Sequence, residues 1–217
     1  GYVSGRGLDD NPITFLKVGY VPYVFYLPHY AGLDNNGHTL LADSSGKGVS
    51  PNSDNIPKYY IDPSPKFEYG LTNTFNYANW SLDLFLRGVS GQKIFNNTLL
   101  NIESIHRLPG NNVTKQTLTN GIKDKNVVVS DHALENASYL RLDNISVGYT
   151  FQHLKKIESM KVYVAANNLF VITKYRGLDP EIQTEDQDYN SYIDVSYGGT
   201  GYYPKTRSFS LGVNVSF

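Results

Sequence analysis

The chain has 217 residues, 40% of them hydrophobic, with 19 basic against 20 acidic side chains and no cysteine. Scattered basic residues at near-zero net charge carry no electrostatic footprint for nucleic acid, and without cysteine there is no disulfide scaffold or thiolate metal site. No apolar run approaches the ~18 residues of a membrane helix, but this leaves a membrane β-barrel open, because its lipid-facing and lumen-facing residues alternate.

Along the chain, "TFLKVGYVPYVFY" (14–26) is an irregular strand candidate carrying Pro22. "KFEYGLTNTFNY" then alternates, with Phe67, Tyr69, Leu71, Phe75 and Tyr77 on one face, broken only by Asn73. In "NWSLDLFLRG", Trp80, Leu82, Leu84 and Leu86 share a face opposite Asp83 and Arg87, so a hairpin turning at about Ala78-Asn79 is predicted. "SYLRLDNISVGYTF" aligns Ile145, Val147, Tyr149 and Phe151, while Leu140 and Leu142 have the other parity. Either a bulge near Asp143-Asn144 restores their phase, or the two leucines point inward. Met160, Val162, Val164 and Ala166 follow in phase, and the chain closes on a strand with Phe209, Leu211, Val213, Val215 and Phe217 opposite Ser, Gly and Asn.

The reading is five good strands and one irregular one. Their connections alternate between short (after 77 and 151) and long (28–66, 91–137 and 173–204). This asymmetry fits an outer-membrane barrel with tight periplasmic turns and long extracellular loops. Tyr77, Trp80, Phe151 and Phe217 then fall at the short-turn end, and Phe67, Tyr139 and Phe209 near the long-loop end, as two membrane-interface girdles. Alternation alone also suits a soluble, secreted β-sandwich that binds carbohydrate, with the same oily faces forming a dry core.

The five histidines lack metal-ligand spacing, and no nucleophile elbow or phosphate loop occurs, so no catalytic residue, no metal site and no enzyme activity is read from the sequence. Glu181, Glu185, Asp186, Asp188 and Asp194 form an acidic loop suited to Ca²⁺ but without the EF-hand pattern; no cofactor is expected beyond that. Tyr189, Tyr192, Tyr197, Tyr202 and Tyr203 in the same loop are candidates for contact with substrate or a partner, or for loop packing.

From residue 136, "NASYLRLDNISVGYTF", "LKKIESMKVYVAANNLFVITKYRGLDPEI" and the final strand resemble the C-terminal end of the SusC/RagA family of TonB-dependent outer-membrane transporters. "YAGLDNNGHTLLAD" and "PKFEYGLTNTFNYANWSLDLFL" look like the family's preceding barrel strands, so the resemblance runs from about Gly19 to Phe217. The turn "FQHLKKIESM" lacks the proline often found there.

The resemblance implies an all-β fold: antiparallel transmembrane strands, about the last six of a barrel of about 22, with residues 1–217 as the C-terminal part and the plug and TonB box elsewhere. It further implies location in the bacterial outer membrane among its lipids, and import of oligosaccharides or peptides under a SusD-like lid lipoprotein. TonB would act through the missing N-terminal part, and Phe217 would stand where the insertion machinery reads a terminal aromatic.

Overall fold

A computed structural model describes residues 2–6, 11–154, 156–182, 192–194 and 205–217. The chain divides into two compact units, one formed by Gly1–Ser64, Gln92–Ala137 and Tyr175–Tyr203, the other by Pro65–Gly91, Ser138–Lys174 and Pro204–Phe217.

The first unit opens with β1 (Tyr2–Arg6), β2 (Pro12–Leu16) and β3 (Val24–Pro28). Here the sequence reading is corrected: 14–26 is not one long strand. Pro22 supplies no backbone donor and Tyr23 takes φ 60, so the segment breaks into β2 and β3. Next come β4 (Tyr30–Leu33), β5 (Thr39–Ala42), β6 (Gly48–Val49) and β7 (Lys58–Ile61). They complete a sheet ordered β1-β2-β3-β7 and a second ordered β4-β5-β6.

"YAGLDNNGHTLLAD" is therefore a short hairpin of this unit, not a long barrel strand. Its turn is set by Asp34, whose carboxylate accepts from the backbone N–H groups of Asn36 and His38, both at 2.8 Å. The next turn repeats the device, with Asp43 accepting from Ser45 and Lys47. Gly37 and Gly46 supply φ 87 and 83, which an L side chain rarely adopts.

The second unit begins with β8 (Phe67–Tyr77) and β9 (Trp80–Ser90), joined at Ala78-Asn79 as predicted, with Tyr77 paired to Trp80. The chain then returns to the first unit through β10 (Lys93–Asn96), α1 (Asn97–Ile102) and β11 (Leu134–Asn136). Asn96 caps α1, its Oδ1 accepting from Leu99 N–H at 2.8 Å. A second hairpin follows, β12 (Tyr139–Leu154) and β13 (Ile157–Thr173). Finally β14 (Ile193–Asp194) pairs parallel to β10, and β15 (Ser208–Ser216) pairs with β13.

The five long strands form one antiparallel sheet ordered β15-β13-β12-β9-β8. Register joins them into rows: Phe75, Leu82, Val147, Val164 and Leu211 are successive partners across all five. The next row on the other face is Thr74, Asp83, Ser146, Ala165 and Ser210. On that polar face Asn144, Asn167 and Ser208 are linked by side-chain hydrogen bonds of 2.8 and 3.1 Å. Trp80 pairs with Tyr149, yet β12 runs to Leu154 before turning, so the second hairpin outruns the first by five residues (154 − 149). Stagger of this kind is what tilted barrel strands need.

The expected bulge is present: the register of β12 shifts between Leu142 and Asn144 against both neighbours. Against β9 Asp143 is the extra residue, whereas against β13 it faces two, Asn168 and Leu169; its carboxylate accepts from Arg87 Nε at 2.5 Å. Opposite it Asn168 takes φ 50, its Oδ1 accepting from Arg141 Nη1 while its Nδ2 donates to Lys205 O at 2.8 Å. Arg141, 1% exposed, thus gains a partner that only this left-handed turn of β13 presents.

The first unit has an ordinary core of Ile13, Phe25, Leu27, Phe95, Leu100, Ala133 and Ile193. A smaller cluster joins Ile94, Ala137, Tyr175 and Ile182. Neither cluster contains a residue of the five long strands.

Asn168→Val should destabilise the protein by roughly 2–4 kcal/mol, from left-handed strain in a β-branched residue plus the lost Arg141 acceptor. Asn168→Gly should suffer only the second cost and so lose less. Urea titrations followed by Trp80 fluorescence check the order; a Val variant as stable as the parent would refute it.

Candidate functional site

The sheet's oily face is its most conspicuous chemical surface. Phe75, Leu211, Val213 and Val164 are all exposed, Leu211 by 75%, although their sequence pattern is that of a buried strand face. A sandwich would need a dry core made from these side chains; among the described residues no layer covers them, and that alternative is set aside.

At the tight-turn end the aromatic side chains form a connected set. Tyr77 pairs with Trp80, Trp80 lies 5.0 Å edge-on from Tyr149, and Tyr149 lies 4.8 Å from Phe151. Asn79 Nδ2 donates to the Tyr149 hydroxyl at 3.3 Å. Phe217 follows Ser216, whose partner is Ser159, and so falls at the same end with 91% of its surface exposed. At the other end Phe67 and Phe209 are exposed, as are Phe170 and Ile172, which the sequence reading had not singled out. Phe170 and Ile172 continue the even parity of Met160, Val162, Val164 and Ala166, interrupted only by Asn168, so the pattern was present in the sequence.

Tyr139 requires a correction. It precedes the bulge with the parity of Arg141, is 5% exposed, and its hydroxyl accepts from Arg87 Nη1 at 3.0 Å. It belongs with the polar groups, not with an interfacial girdle.

The first unit is cross-linked by acids that reach distant segments. Asp131 accepts from His29 Nδ1 at 2.5 Å and Tyr30 N–H at 2.7 Å, and Asp124 accepts from the Thr39 N–H and hydroxyl at 3.1 and 2.6 Å. His132 Nε2 stands 3.3 Å from Glu103, and its ring is 4.4 Å from Tyr30. The Glu103 hydrogen bond raises the His132 pKa, outweighing burial and the nearby Arg176 guanidinium, which lower it. The His38 backbone N–H is the main cause holding the Asp34 carboxyl below the usual range.

Beside these pairs lies a cleft of about 810 Å³, floored by Leu27, Leu41, Val127 and Val129 and walled by Tyr26, Lys58, Lys125 and Asp124. Its volume is within the ~300–1,000 Å³ typical of ligand sites. Sequence periodicity could not reveal it, because its walls come from segments about 85 to 100 residues apart.

Of the tyrosines expected to touch substrate or partner, Tyr189, Tyr197, Tyr202 and Tyr203 lie outside the described residues, as do Glu185, Asp186 and Asp188. Tyr192 packs against the main core, and its carbonyl accepts from Phe95 N–H at 2.8 Å. Asp194 is 2% exposed and accepts from the Tyr175 and Thr98 hydroxyls at 2.5 and 2.9 Å. Burial, and next the Asp194 charge, push the Tyr175 pKa upward. The Glu181 backbone N–H is bonded to Asp179 at 2.9 Å. Among the described residues no cluster of three His or acidic groups is placed to hold a metal ion.

Comparison with known proteins places this geometry. The TonB-dependent receptor SusC of Bacteroides thetaiotaomicron is 32% identical over 224 residues, which is 96% of this chain and 21% of that receptor. The chain is similar to SusC-type TonB-dependent receptors over nearly all of its own length. Receptor P3 of Formosa agariphila is 29% identical over 86% of the chain and 20% of its own length. The chain thus spans about a fifth of the length of the curated relatives it matches. No protein-family model matches it.

Among solved structures, the RagAB peptide transporter superposes with a TM-score of 0.76 at 27% identity, over 94% of this chain and 23% of that one. The RagAB peptide importer in its 'open-open' state shares the fold at a TM-score of 0.70 and 24% identity, over 98% of this chain and 24% of the other. The stretches that carried the resemblance have structural work in this chain. Arg141 of "YLRL" meets Asn168 of "NLF", and Arg176 of "YRGLDPE" donates from Nε and its backbone N–H to Glu135 at 3.1 and 2.9 Å.

His132 yields a pH signature. With its pKa raised on folding, the pair contributes stability fully below the ordinary histidine value of about 6.5, and loses it as pH rises through the folded value. The thermal midpoint of the parent minus that of His132→Gln should therefore shrink between about pH 5 and about pH 9. Glu103, Asp131, Arg176 and Tyr30 are the polar groups facing the ring, so a gap that widens with pH would contradict the Glu103 pairing.

Proposed function

We propose that the five-stranded sheet is part of the wall of an outer-membrane TonB-dependent transporter that imports oligosaccharides or peptides, with its oily rows against lipid and its Ser/Asn face toward the lumen. The observation that carries this reading is the register: five strands align apolar residues into continuous, exposed rows while polar residues fill the other face. In water such a surface is a liability; in hydrocarbon it is the required one.

The sheet has two outer edges, along β8 and β15. In lipid each unsatisfied backbone group on such an edge costs several kcal/mol, so further strands must close it. In this reading the rest of a longer protein supplies those strands, and with them the plug that TonB pulls. A SusD-like lipoprotein captures substrate with the extracellular segments, and transport proceeds by gating without covalent chemistry. The likeness to the RagAB peptide transporter favours peptides among the candidate cargoes.

Two experiments test the reading. An antibody to the exposed turn at 43–55 should detect, in fractionated cells, an outer-membrane band whose mobility changes on boiling and whose mass is several times 24.3 kDa. A soluble band of about the chain's own mass would refute it. Second, Leu84→Arg or Val213→Arg should reduce insertion, by ~2–4 kcal/mol at mid-depth, whereas Ser210→Arg or Thr72→Arg on the other face should be tolerated. Equal tolerance of both sets in an inserted protein would reverse the assignment of the faces.

A further inference from the structure

The cleft of the first unit has an uneven supply of free polar groups. Its acids are already committed. Asp34 accepts from two backbone N–H groups of its own turn, and both Asp124 oxygens accept from Thr39. Its two ammonium groups are not. Lys58 Nζ lies 5.9 Å from the Tyr26 ring centroid, and neither Lys58 nor Lys125 has an ion-pair partner among the described residues.

The remaining walls are an apolar floor and one aromatic side. Leu27 and Leu41 lie beneath the cleft, and Val127 and Val129 pack against the main core. Tyr26 is backed by Tyr60, their rings stacked 4.5 Å apart at 20°, so its orientation is fixed before any ligand arrives.

We propose that this cleft binds a short peptide carrying a carboxylate, which pairs with Lys58 and Lys125 while neighbouring aliphatic side chains cover the Leu/Val floor. A neutral sugar would give the ammonium groups no counter-charge and the floor no aliphatic partner, and would leave both less well solvated than in water. An acidic oligosaccharide meets the charge requirement but not the floor. In naming a ligand class the inference extends the transport reading, and its cargo meaning rests on that reading; binding itself does not.

The test uses the full-length protein that carries this segment, purified in detergent, and fluorescence anisotropy with a labelled heptapeptide of Glu and Leu residues. The peptide should bind saturably, and the same peptide with every Glu replaced by Gln, its C-terminus amidated, at least fivefold more weakly. Lys58→Glu with Lys125→Glu should weaken the acidic peptide tenfold or more. Lys47→Glu, on the β5–β6 turn, should leave it unchanged. Equal affinity for the two peptides, or indifference to the double reversal, overturns the proposal, as does an oligogalacturonate that binds where the peptide does not.

The peptide comparison is made on the unaltered protein, so it decides the matter even where the double variant fails to fold. Peptide binding by a protein found outside the outer membrane would sink the transport reading alone. An outer-membrane protein that ignores the peptide would sink this inference alone.

Discussion

In a strand with a strict period of two, Leu140 and Leu142 would stand on the face that carries Ser146 and Gly148, and Arg141 would stand among the leucines. One added residue, Asp143, prevents this, and much of the sheet's chemistry follows from where it sits. A bulge must be stabilised, because its extra residue leaves the ladder. Here Asp143 pairs with Arg87, while Asn168 turns left-handed and bonds both Arg141 and the chain entering β15. The guanidinium groups therefore lie on the polar face, and the outer face stays apolar through Leu140, Leu142, Ile145 and Val147. On the proposed membrane reading, charge placed on the other side would meet hydrocarbon, where it is expensive.

The two units solve opposite solvent problems with the same residue types. In the first, Ile13, Phe25, Phe95 and Ile193 are wholly buried; in the second, Phe209, Leu211 and Val213 face outward. A mean hydropathy of −0.36 averages the two and identifies neither. Register and exposure together separate them, because the outward apolar positions are aligned across strands and the inward ones are gathered from remote segments.

This difference also explains what could be read from the sequence. β8, but for Asn73, and β15 repeat every second residue over their whole lengths and β9 does so from Trp80 to Leu86, so their faces, the Ala78-Asn79 turn and the parity break at Asp143 were legible. The three long connections were read as extracellular loops, but they contribute to a unit with its own core. Its strands are short, and β3 is buried at Val24, Phe25, Leu27 and Pro28, which leaves no alternation to detect. The contacts that define it join residues such as His29 and Asp131, which are 102 positions apart. Tyr139 was misplaced for a different reason: its aromatic character was weighed, but its parity, opposite to that of Leu140 and Leu142, was not.

Short strands offer few ladder hydrogen bonds, and the first unit replaces them with carboxylates. Asp124, Asp131, Glu135 and Asp194 each accept from at least two donors, and each ties together segments far apart in sequence. Hydrogen bonds to charged groups contribute roughly 1.5–3 kcal/mol each, against about 1 for neutral ones, so a few acids can offset several missing ladder bonds. The arrangement has a further consequence. Acids occupied in holding loops together are not available to a ligand, whereas lysines at the rim are, so the structural role of the carboxylates sets the chemistry of the cleft that the loops enclose.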